Sequence, residues 1–173
     1  MKNIYLTGPR ACGKTTIGKM LAEYLHRSFA DTDQVFEKKY AQTIAECVKN
    51  EGWDVFRNRE AAILRELAGK GGAVIACGGG IVLREENRNI LARGLTVYFD
   101  VDPEELAKRL ENDPLEAQRP SLTGKSIVEE VRDVLKRRDP MYRESAHVVL
   151  KPDLPELMVR SIARAVERLS EKT

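Results

Sequence analysis

The chain has 173 residues, of which 42% are hydrophobic and 32% charged, and its formal net charge is +2. That balance describes one ordinary globular domain spanning 1–173, with too little net charge to argue for nucleic acid or an acidic membrane surface as a partner. No stretch approaches the roughly 18 apolar residues of a membrane span, and the opening MKNIYLTGPR is too short an apolar run for a signal peptide.

In chain order, NIYL (3–6) reads as a short buried strand, and residues 14–26 carry Ile17, Met20, Leu21, Tyr24 and Leu25 at helical spacing. SFAD (28–31) is a weaker strand candidate. Thr43 with Glu46 forms a capping box ahead of a helix, and FRNRE (56–60) falls in a further helix behind Trp53 and Phe56. AVIAC (73–77) and LTVYF (95–99) are short runs suited to buried strands. Asp102 with Glu105 opens the next helix, and Pro103 sits where a missing N–H costs nothing. Segment 112–125, NDPLEAQRPSLTGK, shows no period and holds two prolines, so a mobile surface loop is expected there. Ser126 with Glu129 starts another helix, HVVL (147–150) is the last strand, and Asp153 with Glu156, flanking Pro155, starts the last helix. Strand and helix alternating in this way predict an α/β fold with a parallel sheet, right-handed crossovers and helices on both faces. Ligands in such folds bind beyond the carboxyl ends of the strands, where loops 8–15, 31–33, 78–80 and 112–125 should gather. Cys12, Cys47 and Cys77 are an odd set without metal-ligand spacing, which fits a reducing cytosol.

GPRACGKT (8–15) matches G-x-x-x-x-G-K-[ST], with a strand before it and an amphipathic helix after it. Gly8 and Gly13 let the chain turn so that successive N–H groups point at phosphate oxygens, and the following helix adds its positive end. Lys14 supplies a point charge for the β- and γ-phosphates and Thr15 a hydroxyl for magnesium. A nucleoside triphosphate with Mg2+ is therefore the first inference. Arg10 and Cys12 stand at variable positions of the motif, and their side chains carry no assigned chemistry. The chain has no N-K-x-D guanine motif, and Asp100 after LTVYF reads as a strand-end residue rather than a metal carboxylate, which leaves the small kinases.

For such an enzyme, FADTDQVF (29–36) offers Asp31 and Asp33 on one side of an extended backbone, able to divide metal holding from orienting or deprotonating a hydroxyl. The competing use is Asp33 as the cap of a helix beginning near Gln34, and spacing leaves the two readings even. Arg57 and Arg59 are helical arginines of a kind usually solvated or paired with a nearby carboxylate. CGGGI (77–81) follows a strand, and its glycines would let a substrate approach the backbone, though a plain turn reads the same way. Arg119 is the single cation between Arg109 and Lys125, suited to delivery by a closing loop. The basic residues of KRRDPMYRE (136–144) read as a solvated helix end, and His26 and His147 as structural.

Taken together and in order, GPRACGKTT, DTD (31–33), FRNRE (56–60), GGG (78–80), RPSLTGK (119–125) and RRDPMYRE (137–144) resemble the shikimate kinase family across nearly the whole chain. The resemblance implies a three-layer P-loop kinase fold with a five-stranded parallel sheet, a lid at about 112–125 and a substrate-binding helical segment at about 33–61. It implies transfer of the ATP γ-phosphoryl to the 3-hydroxyl of shikimate, on the way to chorismate and the aromatic amino acids. ATP would lie on Gly8, Ala11, Cys12, Gly13, Lys14, Thr15 and Thr16, with Arg109 near the adenine and Arg119 reaching the phosphates from the lid. Mg2+ would be held by Thr15 and Asp31, and catalysis carried by Asp33, Lys14 and Arg119. Shikimate would meet Asp33 at its hydroxyl, Arg57 and Arg138 at its carboxylate, and Gly79 and Gly80 through backbone; Arg138 is chosen over Arg137 because it stands two before Pro140. A cytoplasmic monomer is expected, with no nucleic acid or membrane partner. The alternatives kept open are another small-metabolite kinase, such as a gluconate kinase, and a nucleotide-binding regulatory module without catalysis.

Overall fold

The computed structural model of the chain describes residues 1–112 and 126–170, so Arg119 and the expected lid beyond Asn112 lie outside the described residues. Five short strands, β1 (Ile4–Thr7), β2 (Phe29–Asp31), β3 (Val74–Ala76), β4 (Leu95–Phe99) and β5 (Val148–Leu150), pair in parallel in the order β2-β3-β1-β4-β5. Among the described residues the helices are α1 (Lys14–Tyr24), α2 (Thr32–Tyr40), α3 (Ile44–Glu51), α4 (Trp53–Lys70), α5 (Glu85–Leu91), α6 (Pro103–Asn112), α7 (Ile127–Ser145) and α8 (Pro155–Ser170). All five expected strands form. The weak candidate at 28–31 is one of them, because Phe29, Ala30 and Asp31 find Val74, Ile75 and Ala76 as ladder partners.

Period-two alternation divides β1 to β4 between two cores, while in β5 Val148 and Leu150 pack against the first and Val149 is exposed. Ile4, Leu6, Val97 and Phe99 pack with Ile17, Leu21, Leu106 and Ile162 of α1, α6 and α8. Tyr5, Ile75 and Tyr98 pack with Phe36, Ile63, Leu64 and Leu91 of α2, α4 and α5. Both faces are thus covered, giving three layers, as a parallel sheet requires. Helix α7 serves both cores, placing Val131 and Leu135 in the first and Tyr142 in the second.

Local expectations differ from the structure at a few places. Tyr24 is 57% exposed, because the buried face of α1 is built from Ile17, Gly18, Leu21 and Ala22. The capping box of Thr43 and Glu46 is complete, whereas at α6 the Asp102 carboxylate accepts from the Glu104 N–H at 2.9 Å while Glu105 accepts from Arg109. Ahead of α8, Asp153 accepts from the Leu154 N–H at 2.7 Å and the expected box with Glu156 does not close. The basic stretch 136–144 forms the C-terminal half of α7, with Pro140 inside the helix; Lys136, Arg137 and Arg143 are exposed, as a solvated helix end requires, and Arg138 is the half-buried exception.

From β1 the chain moves to β2 and β3 on one side of the sheet, then to β4 and β5 on the other. A crevice opens at the carboxyl end of β1 where the direction reverses, and the loops after β1 and β3 meet there.

Candidate active site

The loop between β1 and α1 is a backbone cradle. Gly8, Ala11 and Gly13 have φ of 141°, 57° and 95°, and such alternation of backbone hand turns successive N–H groups toward one centre. Gly8 is needed for space as well as for its φ, since a Cβ there would lie 2.9 Å from Cys12 Sγ and 3.1 Å from the Phe99 carbonyl. Lys14 Nζ donates to the carbonyls of Gly8 (2.9 Å) and Pro9 (2.6 Å), which holds the ammonium across the mouth of its own loop. Gly13, Lys14, Thr15 and Thr16 line a cleft of about 320 Å³ together with Asp31, Asp33, Gly78, Gly79 and Arg109. Arg109 reaches in from α6 and donates to the Ala11 carbonyl at 3.2 Å, while Glu105 steadies it at 2.9 Å.

Asp31 and Asp33 both reach this cleft, by a route different from the extended pair expected from their spacing. Asp31 ends β2 and Asp33 already lies in the first turn of α2. The cap of α2 is Asp31, not Asp33: its Oδ1 accepts from the N–H groups of Asp33 (3.0 Å) and Gln34 (3.4 Å). Asp31 Oδ2 accepts from the Thr15 hydroxyl at 2.7 Å. A hydroxyl and a carboxylate side by side at a phosphate cradle are hard oxygen donors. They suit Mg2+, which is bound through one or two protein oxygens plus phosphates and water rather than by an all-protein cage. Among the described residues no group of three or more His, Cys, Asp or Glu could hold a metal ion, which agrees with so sparse a donor set.

Beside the cleft lies a tighter recess of about 40 Å³, lined by Asp33, Trp53, Phe56, Arg57, Glu60, Gly78, Gly79, Gly80, Arg138 and others. Asp33 stands on the wall common to both. Arg57 is held over the rings of Phe56 (4.9 Å) and Trp53 (5.3 Å) and donates to Glu60 Oε2 at 2.6 Å. Arg138 comes from α7 and donates to the Gly79 carbonyl at 3.0 Å. Two guanidinium groups thus meet beside a glycine turn, an arrangement matched to a planar carboxylate. Two of the three glycines are closely surrounded: a Cβ on Gly78 would lie 2.6 Å from Asp33 Oδ1, and one on Gly80 would collide with the Arg57 guanidinium, whereas one on Gly79 would meet its nearest neighbour at 3.6 Å.

Several site residues escaped the sequence. Glu60 is 3% exposed, and its Oε1 has no hydrogen-bond partner within the protein. Burial pushes its carboxyl above the usual range, with the charge of Arg57 opposing. Its spacing of three from Arg57 predicts an ordinary surface pair, and only the packing of α4 buries it. Arg10 lines both cavities, and Gly78 keeps space for Asp33. Arg59, by contrast, pairs with Glu51 at 2.6 and 2.7 Å and lies over Tyr40, away from the recess. Asp100 binds Arg143 at 2.9 Å, which agrees with its reading as a strand-end residue. His147 opens onto β5 and accepts the Thr96 N–H on Nδ1 at 3.2 Å, a structural use.

The model of one protein family, described as shikimate kinase, matches residues 10–167. The chain belongs to the shikimate kinase family. Two relatives named shikimate kinase 2 support this: one from Escherichia fergusonii, 44% identical over 94% of this chain and 90% of its own length, and one from Yersinia pestis, 47% identical over 93% of each. A shikimate kinase from Acinetobacter baumannii, solved in complex with shikimate, superposes with a TM-score of 0.88 at 38% identity, covering 99% of this chain and 95% of that one. The shikimate kinase of Aquifex aeolicus superposes at 0.82 with 30% identity over 97% and 98%. The three-layer sheet of this chain is therefore the P-loop kinase fold of the shikimate kinases.

Proposed function

We propose that the protein transfers the γ-phosphoryl group of ATP to the 3-hydroxyl of shikimate, giving shikimate 3-phosphate and ADP, in the route to chorismate and the aromatic amino acids. The observation that carries this reading is the position of Asp33 on the wall shared by the phosphate cleft and the two-arginine recess. Phosphoryl transfer needs positioning and charge stabilisation more than covalent chemistry from the protein. Gly8, Ala11, Cys12, Gly13, Lys14, Thr15 and Thr16 hold the triphosphate, with Arg109 toward the adenine. Arg57, Arg138, Gly79 and Gly80 hold the acceptor by its carboxylate and ring, and Asp33 orients or deprotonates the attacking hydroxyl. Thr15 and Asp31 would hold Mg2+, which neutralises charge developing between the β- and γ-phosphates. Arg119, in the proposed lid at 112–125, brings a further positive charge, and residues 33–61 act as the acceptor-binding segment of a single 1–173 domain. The enzyme works as a monomer in the cytoplasm, a setting supported by its three unpaired, buried cysteines.

The test is ADP release measured with shikimate, with gluconate, with nucleoside monophosphates and with no acceptor. Shikimate-dependent release is expected. Release only with gluconate or a nucleotide overturns the acceptor, and no acceptor-dependent release favours a regulatory module.

A further inference from the structure

The α7 face toward the glycine turn carries a second donor that the reaction as described does not use. The Tyr142 hydroxyl donates to the Gly79 carbonyl, the same oxygen that accepts from Arg138 Nη1 at 3.0 Å. A carbonyl oxygen has two lone pairs, so this pair of donors satisfies it completely. Tyr142 is fully buried, and its ring stacks on Tyr98 with centroids 4.9 Å apart and planes 19° from parallel. Tyr98 is in turn held by its own hydroxyl, which donates to Asp139 Oδ1 at 2.8 Å. Arg143 closes the set, donating to Asp139 Oδ2 at 2.8 Å and to Asp100 Oδ2 at 2.9 Å.

We infer that Tyr142 is a positioning residue for the acceptor: by clamping the Gly79 carbonyl together with Arg138, it sets the glycine turn and the guanidinium in the one arrangement that binds the substrate carboxylate. The peptide between Gly79 and Gly80 is trans, as are all peptides among the described residues. Its C=O and N–H therefore point in opposite directions, and a carbonyl tied to α7 turns the Gly80 N–H away from that helix. Gly78 is pinned by its own N–H to Thr32 Oγ1 at 2.8 Å, so without the Tyr142 hydroxyl it is the Gly79 carbonyl that Arg138 alone holds, and rotation of this one peptide moves both an N–H donor and the arginine. Burial keeps the Tyr142 phenol protonated far above neutrality, so the hydroxyl remains a donor throughout the working range. The Tyr98–Asp139–Arg143 set fixes the ring beneath it but does not touch the turn.

This inference rests on the proposed acceptor, and its test separates the two. Wild-type enzyme is first assayed with shikimate, and absence of turnover there overturns the function rather than the role of Tyr142. Tyr142→Phe removes the hydroxyl and keeps the stacked ring. Its KM for shikimate should rise about tenfold, the scale of one buried hydrogen bond, with KM for ATP within about twofold. Tyr98→Phe, which also keeps the stack, should lower the Tm with KM for shikimate unchanged. An unchanged shikimate KM in Tyr142→Phe, equal losses toward both substrates, failure of that variant to fold, or an equal shikimate effect from Tyr98→Phe each overturns the inference.

Discussion

Asp31 occupies both of its oxygens, one with the Thr15 hydroxyl and one with the first N–H groups of α2, and this leaves Asp33 facing the boundary between the two cavities. Asp33→Asn keeps the shape of the side chain and removes its basicity. Its kcat should fall by roughly a hundredfold or more, as for loss of a placed acid–base group, with KM for ATP unchanged. Activity within threefold of wild type, in steady-state assays, contradicts the role. Glu60 makes a separate prediction. Burial raises its folded-state pKa above the ordinary value of 4.5, so above that pH the folded chain retains a proton that the unfolded chain releases. The stability from this group is complete below the unfolded value and is lost as pH rises through the raised one. Glu60→Gln removes the dependence, so the stability of the variant relative to wild type should grow from pH 4.5 upward, as read by urea midpoints; the opposite slope refutes the assignment. Asp31, Asp33 and Arg57 were legible as residue types at motif positions. Glu60 was not, because nothing in a one-turn Arg–Glu spacing reveals whether the pair is wet or buried.

At the scale of elements, short apolar runs located four of the five strands, most clearly those buried within the sheet, while β2, an edge strand that ends in Asp31, left only a weak signal. Helix starts were less legible: the Thr43 box closes, but Glu105 is taken by Arg109, which depends on how α6 lies against the P-loop. Gly18 shows the same limit. A glycine inside an exposed helix is worth roughly 1 kcal/mol less than alanine, so Gly18→Ala should stabilise α1 if propensity ruled. Here the added Cβ would lie 2.6 Å from the Phe29 ring and 3.1 Å from Leu6. The variant should instead lose about 1–3 kcal/mol through overpacking, measurable as a lower Tm, and a higher Tm would show that β2 yields freely to α1.

Across the whole molecule, the fold brings a loop after β1, a helix start at 32, a helix at 53–70, a turn at 78–80 and α7 to one crevice. Chelation of Mg2+ should abolish ADP release while leaving the rise in Tm caused by shikimate in place, because the proposed metal donors and the two arginines line different cavities. Loss of that shift on chelation, read by calorimetry, would mean that the acceptor needs the metal to bind. The sequence by itself determined the alternation of strand and helix, the phosphate cradle and the ordered motifs, because each rests on local backbone rules and on residue types a few positions apart. Only the tertiary structure decided that Asp31 caps α2 while Asp33 divides two cavities, that Arg57 turns inward and Arg59 outward, and that Glu60 and Tyr142 are buried beside the site. Those outcomes depend on which helix face meets the sheet and on contacts between residues as far apart as Gly79 and Tyr142, distances over which no local pattern carries information.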